Sequence, residues 1–298
     1  MEGYDFSKST AANRAGSAGA YGGPHAEVRA TLDYGWHTNP TRARQAVQDA
    51  IVEGILAKAS CAADDGRPWL VFTAGPMGAG KTHLLRWLCA QGIVDTSRFV
   101  LTDVDRVRRL LPEWHALLAH DPNTAGEMTQ KESGLVVEVA QAAALARGLP
   151  LIIDGCLRDV DWWRGYIERI RTHQALTLPL AQRHRIAIWN VVVSDHVAFA
   201  RAARRAAVSG RVVPRHVLAA AIEQVPRSVA ALTPLVDVVT TFCTDDDSPL
   251  PPRLVGCTGL GVADARKGES ERGAGGTQRP APTTPEEWGH IRRLFSKL

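Results

Sequence analysis

Apolar residues along this chain follow two rhythms. Continuous apolar runs at 68–74, 98–103, 149–154, 186–194 and 236–243 read as buried strands. Between them, residues 81–91, 105–119, 129–147, 160–173, 195–208 and 214–230 place apolar positions three and four apart, the spacing of helices with one face in a core. Ahead of the first strand, Asn39-Pro40 fits an N-cap followed by proline at the first helical position. It predicts a helix from Thr41 to Lys58 with Ala46, Ile51, Ile55 and Leu56 inward. Strands alternating with helices predict an α/β fold, a mostly parallel sheet with helices on both faces.

The ends of the chain read differently. Ser, Ala and Gly crowd residues 1 to about 25, so 1–35 is expected to be a disordered tail ahead of a domain spanning 36–258. Residues 259–283 are rich in Gly, Pro and charge and read as a linker. In 284–298 a Thr-Pro-Glu-Glu cap signal opens a short helix with Trp288, Ile291 and Phe295 on one side. That helix either docks on the domain or presents the tail.

One motif outweighs the rest. Gly75-Pro76-Met77-Gly78-Ala79-Gly80-Lys81-Thr82 fits the phosphate-binding loop G-x-x-x-x-G-K-[ST]. The strand Trp69–Thr73 runs into it, and a helix with Leu84, Leu85 and Leu88 inward follows. Glycines let backbone N–H groups curl around phosphate oxygens, and the helix N-terminus adds positive potential. Lys81 is placed to reach the β- and γ-phosphates of ATP or GTP, and the Thr82 hydroxyl to ligate Mg²⁺. The fold is therefore expected to be P-loop NTPase-like.

Further motifs narrow the chemistry. The guanine-reading N-K-x-D is missing, and the strand Leu151–Asp154 ends in Asp-Gly where a motor ATPase usually carries Asp-Glu. At the end of the second strand stands Asp103-Val104-Asp105. Residues two apart in a strand project to the same side, so both carboxylates are expected to point into the crevice at the strand C-terminal ends. One then holds Mg²⁺, assigned here to Asp103, and the other takes a proton from an acceptor hydroxyl, assigned to Asp105; the alternative is a pair of strand-end caps. Arg201, Arg204, Arg205, Arg211 and Arg215 form a cluster, with 201, 204 and 205 on one helix face and Ser209-Gly210 as a hinge. The cluster reads as an arginine lid over the phosphates, in the manner of a kinase, against a solvated basic face or a nucleic-acid contact. Arg158, just after Asp154-Gly155, is a second anion contact. Thr129-Gln130-Lys131-Glu132 fits a capping box, with a substrate contact by Glu132 as the alternative. Trp162, Trp163 and Tyr166 are core residues by default, with stacking on a base as the alternative.

Composition adds limits. A chain of 298 residues, 45% apolar, can bury a full core. Net charge +4 suits anionic ligands without requiring nucleic acid. No apolar run is long enough to span a bilayer. Five widely spaced cysteines without a C-x-x-C pair read as reduced thiols, and His37, His115 and His196 show no metal spacing. The final Ser296-Lys297-Leu298 matches the peroxisomal address read by the import receptor, unless it is coincidental or the source is prokaryotic.

Together, GPMGAGKT, LTDVDRVR, LIIDGCLRD and the arginine-rich segment ending SGRVVP resemble the zeta toxin family of kinases, from about Trp69 to Phe242. The resemblance implies ATP- or GTP- and Mg²⁺-dependent phosphorylation of a hydroxyl on a small-molecule acceptor, UDP-N-acetylglucosamine in bacterial members. It implies Asp105 as base, Lys81 and Thr82 on phosphate and metal, and Arg211 with one of Arg201, Arg204 or Arg205 on the phosphates. Asp103, Arg108, Glu132, Asp154 and Arg158 are the candidate acceptor contacts. This chain departs from the bacterial Glu-Gly-Thr with Asp154-Gly155-Cys156, a shorter carboxylate and a thiol for a hydroxyl, so the acceptor is open. The rival readings are a polynucleotide or nucleoside kinase and a non-catalytic nucleotide-binding protein.

Overall fold

The computed structural model describes residues 3–17, 19–57, 59, 66–209, 212–245, 252–259, 288–289 and 291. In chain order the helices and strands are α1 (Thr10–Asn13), α2 (Ala26–Ala30), α3 (Arg42–Leu56), β1 (Trp69–Ala74), α4 (Lys81–Ala90), β2 (Val100–Asp103), α5 (Val104–Leu110), α6 (Trp114–His120), α7 (Ala125–Met128), α8 (Gln130–Ala146), β3 (Leu151–Asp154), α9 (Val160–Thr177), β4 (Arg185–Val192), α10 (Asp195–Ser209), α11 (Arg215–Leu232), β5 (Val238–Cys243) and β6 (Arg253–Gly259). The six strands form one sheet in the order β2-β3-β1-β4-β5-β6.

Strands β1, β4 and β5 pair in parallel, with Leu70 opposite Ile186 and Ala187 opposite Val238. All six residues of β1 are buried, so both of its pleat faces are covered, which is why its sequence is continuously apolar rather than alternating. Strand β6 is antiparallel to β5, with a register shift at Thr241/Phe242. It was not among the strands read from the sequence. Only Arg253, Leu254 and Cys257 of it are buried, so its apolar run is interrupted.

The described residues fall into two compact units. The first takes those of Met1–Cys61, Ser97–Ile153 and Ala203–Val213. Here α3 and α5 pack on α8. The predicted helix 105–119 is two helices: Leu111 turns extended (ψ 132°) ahead of Pro112, whose ring disfavours helical backbone in the residue before it. The expected disordered tail is corrected for the described residues of 3–35. Tyr4 and Phe6 pack against Trp114, Leu117 and Ala125, Arg14 pairs with Glu113 at 3.0 Å, and the fully buried Arg29 pairs with Asp49. A handful of anchors, each with a partner far along the chain, offsets the ordering cost of a Gly- and Ala-rich segment.

The second unit takes the described residues of Ala62–Thr96, Asp154–Ala202 and Pro214–Leu298. Phe72 of β1 meets Trp163 and Tyr166 of α9 edge-on, so these two aromatics are packing residues. Of the expected terminal helix, Trp288 packs on Trp87 (ring centroids 4.4 Å) and stacks near Phe242, and Ile291 is fully buried. That part docks. The linker beyond Gly259, Phe295 and Ser296-Lys297-Leu298 lie outside the described residues. No described helix is long and apolar enough to cross a membrane.

Candidate active site

The phosphate loop lies between β1 and α4, both in the second unit. Gly75, Gly78 and Gly80 have φ of 139°, 84° and 87°. A Cβ on Gly78 would stand 2.4 Å from the Ala198 carbonyl oxygen, and one on Gly75 2.6 Å from that of Val191. Both clashes are with backbone, so these positions need glycine for space as well as conformation. Ala79 is fully buried, and Gly80 is the left-handed N-cap of α4 without a side-chain cap. The N–H groups of the first turn therefore need partners, the usual provision for an anion. The Lys81 ammonium lies along the loop, donating to the carbonyls of Gly75 (2.8 Å) and Pro76 (3.1 Å). Thr82 is exposed on the first turn of α4.

Asp154 ends β3 beside this loop. The Thr73 hydroxyl of β1 donates to its Oδ1 at 2.7 Å and accepts from the Gly155 N–H at 3.1 Å. The Gly75 N–H points to the Cys156 carbonyl at 3.4 Å. Leu157, fully buried, holds φ at 56°, an uncommon conformation for a residue with a Cβ. It pins the turn that leaves Arg158 exposed, while the Ser228 hydroxyl holds the Arg158 carbonyl at 2.9 Å. Arg201 of α10 reaches Thr244, Nη1 to the hydroxyl at 3.3 Å and Nη2 to the carbonyl at 2.7 Å. Neither Thr73 nor Thr244 stands in a motif, and no sequence signal marked them.

The carboxylates of the first unit are arranged differently from the strand-based expectation. β2 ends at Asp103, which is the N-cap of α5 and accepts the Asp105 N–H at 2.8 Å. Asp105 stands in the first turn of the helix, so strand alternation does not set its direction. Its Oδ1 accepts from Arg108 at 2.5 Å and its Oδ2 from Arg205 at 3.0 Å. Arg108 is 2% exposed and also bonds Thr129 and Gln130. Burial holds its guanidinium below the ordinary arginine value, against the pull of Asp103. Arg108, expected among the acceptor contacts, is thus engaged by Asp105, Thr129 and Gln130. The capping box expected at Glu132 is corrected. No side-chain cap forms at Thr129, and the 2%-exposed carboxylate is bonded by Arg44 and Gln48. Arg204 is exposed, and Arg211 lies outside the described residues.

Among the described residues no group of three or more His, Cys, Asp or Glu could hold a metal. A magnesium ion that arrives with a nucleotide keeps several waters and needs only one or two protein oxygens, a demand that the exposed Thr82 hydroxyl fits.

A buried parallel strand, a glycine-lined turn and a helix opening on Lys-Thr define a phosphate-loop protein. Residues 52–249 match the zeta toxin family, and the chain belongs to it. Similar solved structures include one from the PezAT chromosomal toxin–antitoxin system of Streptococcus pneumoniae (14% identity, TM-score 0.56, covering 69% of this chain and 78% of that one). Another is the AvrRxo1-ORF1:-ORF2 structure with ATP (13% identity, TM-score 0.57, covering 84% and 76%). At such identities these likenesses speak to fold. No curated protein sequence matches the chain at a significant level.

Proposed function

We propose that this protein transfers the γ-phosphoryl group of ATP to a hydroxyl of a small anionic metabolite, with a UDP-N-acetyl sugar as the first candidate. The observation that carries this reading is the phosphate loop itself: three left-handed glycines, two barred from a side chain by backbone, and a lysine along the loop at the mouth of a helix. Presence of ATP in the AvrRxo1-ORF1:-ORF2 structure supports ATP as donor.

In this reading the loop N–H groups and Lys81 bind the β- and γ-phosphates, and Thr82 and Asp103 hold Mg²⁺, which offsets phosphate charge. Asp105 accepts the proton of the acceptor hydroxyl as that oxygen bonds to the γ-phosphorus and the bond to the ADP oxygen breaks. Both oxygens of Asp105 are engaged by arginines, and Arg205 is the more exposed partner at 54%. Each carboxylate oxygen can accept a further bond, so the acceptor hydroxyl can reach Asp105 while Arg108 keeps the carboxylate aimed. Arg205 stands with Arg201, Arg204 and Arg211 among the candidates for the charge on the phosphoryl group. Asp154 and Arg158 contact the acceptor.

The test is transfer from γ-labelled ATP to a panel of UDP-sugars and a metabolite extract, by wild type and Asp105→Asn. Asp105→Asn is expected to bind ATP normally and to lose transfer by roughly 100- to 10,000-fold. Turnover at the wild-type rate removes Asp105 from the role of base, and label on a different metabolite replaces the acceptor.

A further inference from the structure

Thr244, the residue after β5, is bonded on each polar atom. Its N–H donates to the Val192 carbonyl at the end of β4 at 3.1 Å. Its hydroxyl donates to the Ala79 carbonyl of the phosphate loop at 2.5 Å while accepting from Arg201. Its own carbonyl takes the second arm of the Arg201 guanidinium. The residue is 6% exposed. A Cβ built on Gly80 would stand 3.2 Å from the Thr244 hydroxyl and 3.6 Å from Arg201 Nη1, so the arginine is held against the loop. The next residue, Asp245, accepts the Ser194 N–H at 2.5 Å and so ties the start of α10 to the same strand end.

We propose that Thr244 is a positioning residue for the nucleotide, latching Arg201 of α10 to the Ala79–Gly80 peptide of the phosphate loop. The inference rests on the reading of that loop as the ATP site. A trans peptide is planar, with its C=O and N–H on opposite sides. Fixing the Ala79 carbonyl therefore fixes the Gly80 N–H pointing away from Thr244, so one donor of the cradle is aimed before the phosphates arrive. The guanidinium is a rigid planar fork, and two bonds to one residue set both its place and its plane. A valine at this position fills the same volume but makes neither hydroxyl bond. The latch thus explains how one arginine of a basic helix face is committed to the loop, while Arg205, one turn on, is paired with Asp105.

The experiment measures ATP affinity of the full chain by calorimetry for Thr244→Val, Thr244→Ser, Arg201→Gln and the Thr244→Val/Arg201→Gln double variant, with Lys81→Ala alongside. Losing a hydrogen bond to a charged group predicts a loss of about tenfold for Thr244→Val and a comparable loss for Arg201→Gln. The double variant is expected to be no weaker than the worse single one, because one latch breaks only once. Thr244→Ser is expected to bind within about twofold of wild type. Losses that multiply in the double variant, a Thr244→Ser as impaired as Thr244→Val, or an unimpaired Thr244→Val each overturn the proposal. Where Thr244→Val does not fold, Arg201→Lys decides: it keeps the charge but loses the rigid planar fork that sets both bonds at once. A loss of about tenfold supports the latch and full affinity overturns it. A wild type that binds no ATP, or binds it no better than Lys81→Ala, sinks the nucleotide reading together with the latch. A Lys81→Ala loss beside an unchanged Thr244→Val sinks the latch alone.

Discussion

At the scale of single residues, the phosphate loop is where identity is least negotiable. Gly78 combines φ of 84° with a backbone oxygen at the place of its missing Cβ. Gly78→Ala pays twice, about 1–2 kcal/mol for the left-handed conformation and more for moving the Ala198 carbonyl. Denaturant unfolding is expected to show a loss of at least that size together with weakened ATP binding. A variant of full stability would mean that the loop relaxes without cost. Asp105 shows the opposite pattern, because its role depends on its neighbours. A carboxylate in the first turn of α5, shared by Arg108 and Arg205, is aimed by one and covered by the other.

At the scale of elements, the first unit is held by an ion cluster. Arg44 of α3 bonds Glu113 ahead of α6 and Glu132 of α8, all three at 5% exposure or less. Burial would lower the Arg44 pKa, but the two carboxylates more than reverse this and raise it. Burial would raise Glu113, yet Arg44 and Arg14 hold it below the ordinary glutamate value. Arg44→Ala leaves the buried Glu132 without its cation and Glu113 with Arg14 alone, and is expected to cost about 3–5 kcal/mol in thermal or chemical unfolding. The pH dependence follows from the lowered Glu113. Its stabilising share is fully present above the unfolded glutamate value, about 4.3, and is lost as pH falls through the lower folded value. Acid titration of stability is expected to fall over that window, and Glu113→Gln to flatten the fall. An identical slope in the variant would show that Glu113 is not the group responsible.

At the scale of the whole molecule, a ligand that binds only the folded chain stabilises it by mass action. Mg-ATP at a hundred times its dissociation constant is expected to add about 2.7 kcal/mol and to raise the thermal midpoint, with no shift in Lys81→Ala. Equal shifts in both would place the nucleotide elsewhere. The mild net charge of +4 also predicts no steep salt dependence of association with oligonucleotides. A slope of several phosphate contacts would favour a polynucleotide acceptor.

Strand–helix alternation, the parallel sheet and the phosphate loop were legible in the amino-acid sequence because each rests on local rules: burial of both strand faces, 3.6-residue periodicity, and glycines where backbone must approach backbone. Local rules misjudged what depends on distant partners. Residues 3–35 look like a tail until Tyr4, Phe6, Arg14 and Arg29 find Trp114, Glu113 and Asp49. Glu132 fits a capping box, but burial beside Arg44 offers its charge a stronger bond than the helix start does. Asp103 reads as a strand residue, yet its side chain captures the Asp105 N–H and starts a helix. The arginine cluster is visible as a run of like charge. Only tertiary contacts separate its members, Arg201 to Thr244 and Arg205 to Asp105, because a guanidinium takes its place from the oxygens within reach and those come from other parts of the chain.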